Sequence, residues 1–340
     1  MSTRYLLLAE GFSGDPHYGK TMRGVLRYRR EDVAAILDST RAGETEDGVP
    51  VVGSLEEALP FGPTTALVGV ATQGGRFPPA WRELLKDCIR EGLDVENGLH
   101  EFISTDAELT ELAREHGVDL RDLRLPPARL DVPTGANLTH GATTILTVGS
   151  DCAIGKMTVS LELDREARRR GWKSEFVPTG QTGIAIAGWG ISVDAVIADF
   201  IAGAAEQLVL EGVERGGDVL FVEGQGSLLH PGYSGVTLGL IHGSAPHAYV
   251  LCHKAGQLYV DENERFPMPR LADLVDLHER MSLLARPARV LAVALNTRDL
   301  DEASARRAVE EAEADTGLPA DDPVRFGAAR LVDAVAPQPS

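Results

Sequence analysis

A chain of 340 residues, 43% apolar and 25% charged, exceeds what one core usually organises and is ordinary for a globular protein; two α/β domains are expected. Its net charge of −18 argues against a nucleic-acid or anionic-membrane partner, and no stretch has the roughly 18 to 20 apolar residues of a membrane span, so a cytoplasmic protein is expected. The three cysteines, Cys88, Cys152 and Cys252, have neither metal-ligand spacing nor an even count, so no metal site and no disulfide framework is expected.

In chain order, short Val, Leu and Ile runs alternate with helical patterns, the mark of parallel βαβ units. The first series has strands at 5–9, 33–37 and 66–70 and helical stretches at 54–59, 79–91 and 106–116. LPPARLDVPTGANLTHG (Leu125–Gly141) lacks periodicity and is rich in proline and glycine, so it contains the connection, set at 129–141 between domains at 1–128 and 142–336. The second series has strands at 144–148, 174–177, 219–222, 248–252 and 290–295, with a short one at 324–326. Helical stretches fall at 156–170, 193–214, 271–284 and 304–316.

Two segments compete for the role of phosphate loop. GDPHYGKT (Gly14–Thr21) matches G-x-x-x-x-G-K-[ST], yet Pro16 deletes a donor, His17 and Tyr18 are bulky, and its strand ends well before it. GSDCAIGKMT (Gly149–Thr158) breaks the pattern, but a strand runs straight into it and a long amphipathic helix leaves it. The expected cofactor-binding residues are therefore Gly149, Ser150, Asp151, Cys152, Ala153, Ile154, Gly155, Lys156, Met157 and Thr158, with Thr179 and Gln181 of the PTGQTG loop. Cys152 sits where a thiolate would be stabilised; a loop-filling role is expected instead, because no histidine lies near it in sequence.

The spacing of 149–158, together with VLFVEGQGS (Val219–Ser227), resembles the dethiobiotin synthetase group of P-loop proteins, which implies an acidic residue, Glu223, beside the phosphates. Met157 departs from that group: it stands where a hydroxyl normally meets Mg²⁺, and a thioether is a poor ligand for a hard cation. That tilts the expectation from ATP with Mg²⁺ towards coenzyme A, which carries a pyrophosphate and needs no metal for acyl transfer. Residues 223–256 are rich in glycine and hold four of the nine histidines, His230, His242, His247 and His253.

KTMRGVLRY (Lys20–Tyr28), AILDS (Ala35–Ser39), ENGLHEF (Glu96–Phe102), GSDCAIGKMT, PTGQTG (Pro178–Gly183) and EGQGSLLHPGYSGVTLGLIHG (Glu223–Gly243) resemble the DUF1611 family across both domains. That resemblance implies a Rossmann-like N-terminal domain followed by a P-loop NTPase-like parallel-sheet domain. It also implies N-acetyltransferase activity on D-glutamate, as in the DgcN type, and a homo-oligomer. Within it, acetyl-CoA is the expected cofactor, His230 the base, Glu223 its orienter and Gln225 an oxyanion donor, while Lys20, Arg23 and Arg27 meet the carboxylates of the amino-acid substrate. Two other readings stay open on the residues: an ATP/Mg²⁺-dependent ligase or kinase, and a non-catalytic nucleotide or acyl-CoA sensor.

Overall fold

A computed structural model describes residues 3–15, 18–72, 75–78 and 80–337; Pro16, His17 and Pro79 lie outside them, as does the end of the tail. The chain divides into two compact units, Met1–Leu125 with Gln181–Trp189, and Pro126–Gly180 with Gly190–Ser340.

The first unit is built on seven strands: β1 (Tyr5–Leu8), β2 (Val33–Leu37), β3 (Thr45–Glu46), β4 (Val49–Val52), β5 (Thr65–Val68), β6 (Asp94–Asn97) and β7 (Leu120–Asp122). They lie in the order β3-β4-β2-β1-β5-β6-β7, all pairs parallel except β3 with β4. The central strands YLLL and VAAIL are apolar throughout because helices cover both faces of such a sheet. Its helices are α1 (Lys20–Tyr28), α2 (Leu55–Ala58), α3 (Trp81–Arg90) and α4 (Ala107–His116), the last capped by Asp106, whose carboxylate accepts from the N–H groups of Glu108 and Leu109.

The second unit holds β8 (Thr143–Gly149), β9 (Ser174–Val177), β10 (Val219–Val222), β11 (Ala248–Lys254), β12 (Arg289–Asn296) and β13 (Ala320–Asp321), in the order β13-β12-β11-β8-β10-β9 and parallel throughout. The short strand expected at 324–326 lies instead at Ala320–Asp321; Asp322 Oδ1 accepts the N–H groups of Val324 and Arg325 and bends that segment into a turn. Long α5 (Lys156–Arg169) follows β8. Next comes α6 (Gln181–Ala187), which belongs to the first unit: Thr182 Oγ1 meets Thr21 Oγ1 of α1 at 2.9 Å, Ala185 O accepts from Arg29, and Ile184 and Ala185 join that core.

After α6 come α7 (Ile201–Glu214), α8 (Ser234–Ser244), α9 (Leu271–Arg280), α10 (Glu302–Thr316) and α11 (Ala329–Ala334). The expected helix at 193–214 begins only at Ile201, preceded by two short 3₁₀ turns. Residues 126–142 count with this unit, where the backbone N–H groups of Thr134 and Gly135 each donate to Glu206 at 2.6 Å. β8 sits where the winding reverses, with β9 and β10 on one side and β11 to β13 on the other, and ligands collect beyond the carboxyl ends of strands at such a point.

Candidate functional site

β8 delivers Gly149 directly into a loop that ends on α5. A Cβ on Gly149 would come within 2.7 Å of Ile154 Cδ1, Ala153 takes φ +52 and Gly155 φ +113, so the chain folds back more tightly than ordinary side chains allow. Lys156, 6% exposed, donates Nζ to Asp151 O at 2.6 Å, and burial lowers its pKa. Ser150 ties the loop to β11: its N–H donates to Cys252 O at 3.1 Å and its hydroxyl lies 2.9 Å from His253 Nδ1. Burial pushes the His253 pKa down to about 4, so its ring is neutral at physiological pH.

Asp151 joins the loop to the segment after β11. Its carboxylate accepts the Cys152 N–H at 2.7 Å, Gln257 Nε2 at 2.5 Å and the Asp261 N–H at 2.7 Å, pinning the segment after β11 over the loop. Asp151, Cys152 and His230 each bring a ligand-type atom within 4.8 Å of the others. The histidine that sequence distance hid from Cys152 is thus close by.

The loop at the end of β10 is the second half of the site. Gly224 sits so tightly on β8 that a Cβ would meet Thr147 O at 1.8 Å. Ser227 donates its hydroxyl to Ser150 O at 3.0 Å, joining the two loops. Glu223, 3% exposed, accepts at Oε2 from the N–H groups of Thr179 (2.9 Å) and Gly180 (3.1 Å), and at Oε1 from Gln225 Nε2 (3.0 Å). Burial raises its pKa to about 7; the two backbone bonds pull the other way, and Asp194 adds to the rise.

His230, 7% exposed, accepts the Gly232 N–H on Nδ1 at 3.1 Å, lies 3.6 Å through Nε2 from Asp261 Oδ2, and stacks at 4.6 Å on Tyr233. A ring that accepts on Nδ1 carries its proton on Nε2. The four histidines of 223–256 part company: His230 and His253 stay at the carboxyl edge, His247 precedes β11 and accepts the Thr144 N–H on Nδ1, and His242 on α8 faces Met281 O through Nε2. Of the PTGQTG pair, Thr179 belongs to this site, donating its hydroxyl to Glu223 O at 2.6 Å, whereas Gln181 opens α6 in the first unit and packs on Gly98.

The first glycine-lysine segment is differently built. Its turn is held by Asp38, which accepts the N–H groups of Gly11 and Ser13 at 3.0 Å each, and the Met22 N–H in the first turn of α1 donates to Gly69 O at 2.8 Å. Within Gly14–Thr21 itself, the N–H groups of Tyr18 and Gly19 that a phosphate would need donate to Asp15 Oδ1 and O at 2.9 Å each. On α1, Lys20 and Arg27 are exposed, and Arg23 donates to Ser13 O at 3.1 Å while lying 3.9 Å from Glu46.

Two residues that sequence reasoning passed over shape the loop. Gln257 has no motif around it. Asn296 ends β12, and its Nδ2 donates to Ile154 O at 3.1 Å; its place at a strand's carboxyl end is the signal that marks it.

Comparison with known proteins agrees with this architecture. The DUF1611_C P-loop domain model matches residues 131–332 and the DUF1611_N Rossmann-like domain model residues 37–126. A crystal structure of a DUF1611 family protein from Anabaena variabilis, 41% identical, superposes with a TM-score of 0.91 over 98% of this chain and 99% of that one. A Tritonibacter scottomollicae protein named D-glutamate N-acetyltransferase is 39% identical over 83% of this chain and 84% of its own length. A Pseudoalteromonas protein of the same name is 34% identical over 82% and 83%.

Proposed function

This chain belongs to the DUF1611 family, and from that premise we propose that it is an N-acetyltransferase that moves an acetyl group from acetyl-CoA to the amine of D-glutamate, the acceptor named for both curated relatives. The observation that carries the reading is the junction of β8 and β10, where a glycine-built cradle closed by Lys156 adjoins a buried carboxylate with a pKa of about 7. The tight turn from Gly149 to Gly155 at the start of α5 fits a pyrophosphate, since the positive end of the helix and the loop N–H groups favour an anion there. Met157 in place of a hydroxyl removes the usual anchor for Mg²⁺.

Bound in this cradle, acetyl-CoA supplies an activated thioester carbonyl. The chain supplies anchoring and a proton acceptor. Lys156, which donates to Asp151 O, would hold the pyrophosphate together with Thr158 and the 149–155 backbone N–H groups. Glu223, rather than His230, takes the proton of the acceptor's ammonium at Oε1: a carboxylate poised near neutrality matches that task, while the imidazole presents an N–H at Nε2. His230 and the Gln225 amide serve as donors. Lys20, Arg23 and Arg27 keep the role of cations for the acceptor's carboxylates, tested by a rise in KM for D-glutamate in their alanine variants.

The direct experiment incubates the full chain with acetyl-CoA and D-glutamate and follows thiol release together with N-acetylglutamate. Equal amounts of both are expected. Turnover or thermal stabilisation by ATP with Mg²⁺, with no response to acetyl-CoA, overturns the reading.

A further inference from the structure

Two cations, Lys254 and Arg298, are carried by strand ends next to the phosphate loop. Lys254 closes β11 and is the register partner of Asn296 at the end of β12. Cys252, two residues earlier, pairs with Gly149, so Lys254 lies one strand over and about 7 Å past the start of the loop, two strand rises of roughly 3.3 Å. Strand alternation puts it with Val250 and Cys252 on the face that packs against Val159 and Leu163 of α5, the same side as the loop's helix.

Asn296 fixes the second cation to the same frame. Its Nδ2 holds Ile154 O, and its Oδ1 accepts the Arg298 N–H at 3.2 Å, so one amide joins the loop to the turn that carries Arg298. That turn is braced on its other side, where Asp322 accepts the N–H and hydroxyl of Thr297 and Arg325 donates to Thr297 O and Leu300 O. Asp299 then receives Lys254 Nζ at 2.9 Å and Arg298 Nε at 3.3 Å.

The three side chains carry a net charge of +1 on a chain whose total is −18. They are 37%, 63% and 54% exposed for Lys254, Arg298 and Asp299, and exposed ion pairs contribute little to stability. Two cations that share a single carboxylate leave one positive charge for an anion beside a loop whose own carboxylate, Asp151, is engaged by the Cys152 and Asp261 N–H groups and by Gln257.

We propose that Lys254 and Arg298 form a subsite for the 3′-phosphate on the ribose of coenzyme A, which takes the place that the Asp299 carboxylate holds against the two cations. The proposal rests on the acetyl-CoA reading above. A phosphate monoester brings nearly two negative charges and three acceptor oxygens, which Lys and Arg meet better than one carboxylate does. ATP has no phosphate on that ribose oxygen, so the pair selects the coenzyme against the triphosphate.

Titration calorimetry of the full chain with coenzyme A and with 3′-dephospho-coenzyme A tests this without turnover. Coenzyme A is expected to bind at least about ten-fold tighter, with the preference weakening as salt is raised. In Lys254→Ala/Arg298→Ala the preference is expected to shrink to about two-fold through weaker binding of coenzyme A alone, and circular dichroism confirms that the variant folds. Equal affinities in the unaltered protein overturn the subsite while leaving the acetyl-CoA reading in place; so does a preference that survives the double substitution. Binding of neither thiol, with binding of ATP, overturns the acetyl-CoA reading and the subsite with it.

Discussion

Glu223 is the side chain on which the proposed chemistry turns. Its folded pKa of about 7 stands above the ordinary value of 4.5, so between those values the folded state holds a proton that the unfolded state has released. Stability therefore falls as pH rises through that window. Glu223→Gln is expected to flatten this slope in urea titrations run from pH 4.5 to 7, and to lower kcat by about 10²- to 10⁴-fold while the far-ultraviolet spectrum is kept. The rise of kcat/KM near pH 7 should vanish with it. His230→Ala is expected to keep that rise; its loss in the histidine variant would move the base to the imidazole.

At the scale of elements, the junction of β8 with the loop after β10 tolerates almost no added volume. Gly224→Ala would push a methyl group to 1.8 Å from Thr147 O, and the resulting backbone shift is expected to cost about 2–3 kcal/mol in chemical denaturation. Asn296→Ala removes two hydrogen bonds that fix the loop and the turn after β12. It is expected to cost about 1–3 kcal/mol in stability and to raise the KM for acetyl-CoA more than it lowers kcat.

The elements also show what the sequence made legible. Val33–Leu37, Ser174–Val177 and Val219–Val222 match their expected limits because each is a buried apolar run between clear breaks. β6, DVEN, carries no apolar run, because Glu96 and Asn97 are buried polar residues: Tyr5 and Arg121, far along the chain, meet Glu96, while Asn97 meets Asp122 as well as the nearby Glu101 O and Leu99 N–H. α8, SGVTLGLIHGS, lacks an amphipathic signal, being buried by glycine-mediated contact with Ile201 and Ala202 on the neighbouring chain segment. In the site, glycine spacing and strand context pointed to 149–158 and to Glu223. Gln257, Asn296 and the closeness of His230 to Cys152 depend on strand order, which local pattern does not carry.

Across the whole molecule, each unit has its own sheet and core, and among the described residues no helix is long and apolar enough to cross a membrane. The first core is nevertheless not made from one continuous stretch, since Ile184 and Ala185 of α6 are part of it. A fragment ending at Leu125 is expected to melt below its counterpart supplied with residues 181–189, because burying an isoleucine is worth roughly 1.5–3 kcal/mol. Calorimetry of the two fragments measures the difference, and identical transitions would show that α6 adds nothing to that core.

The excursion of Gln181–Trp189 also sets a timetable for synthesis. Domains generally fold from the N-terminus as the chain leaves the ribosome. Here the first unit lacks a covering helix until β8, α5 and β9 have all been made, so the ribosome must extrude the phosphate loop before the earlier unit can finish. The first unit is thus completed while β8 and β9 still await the strands that pair with them.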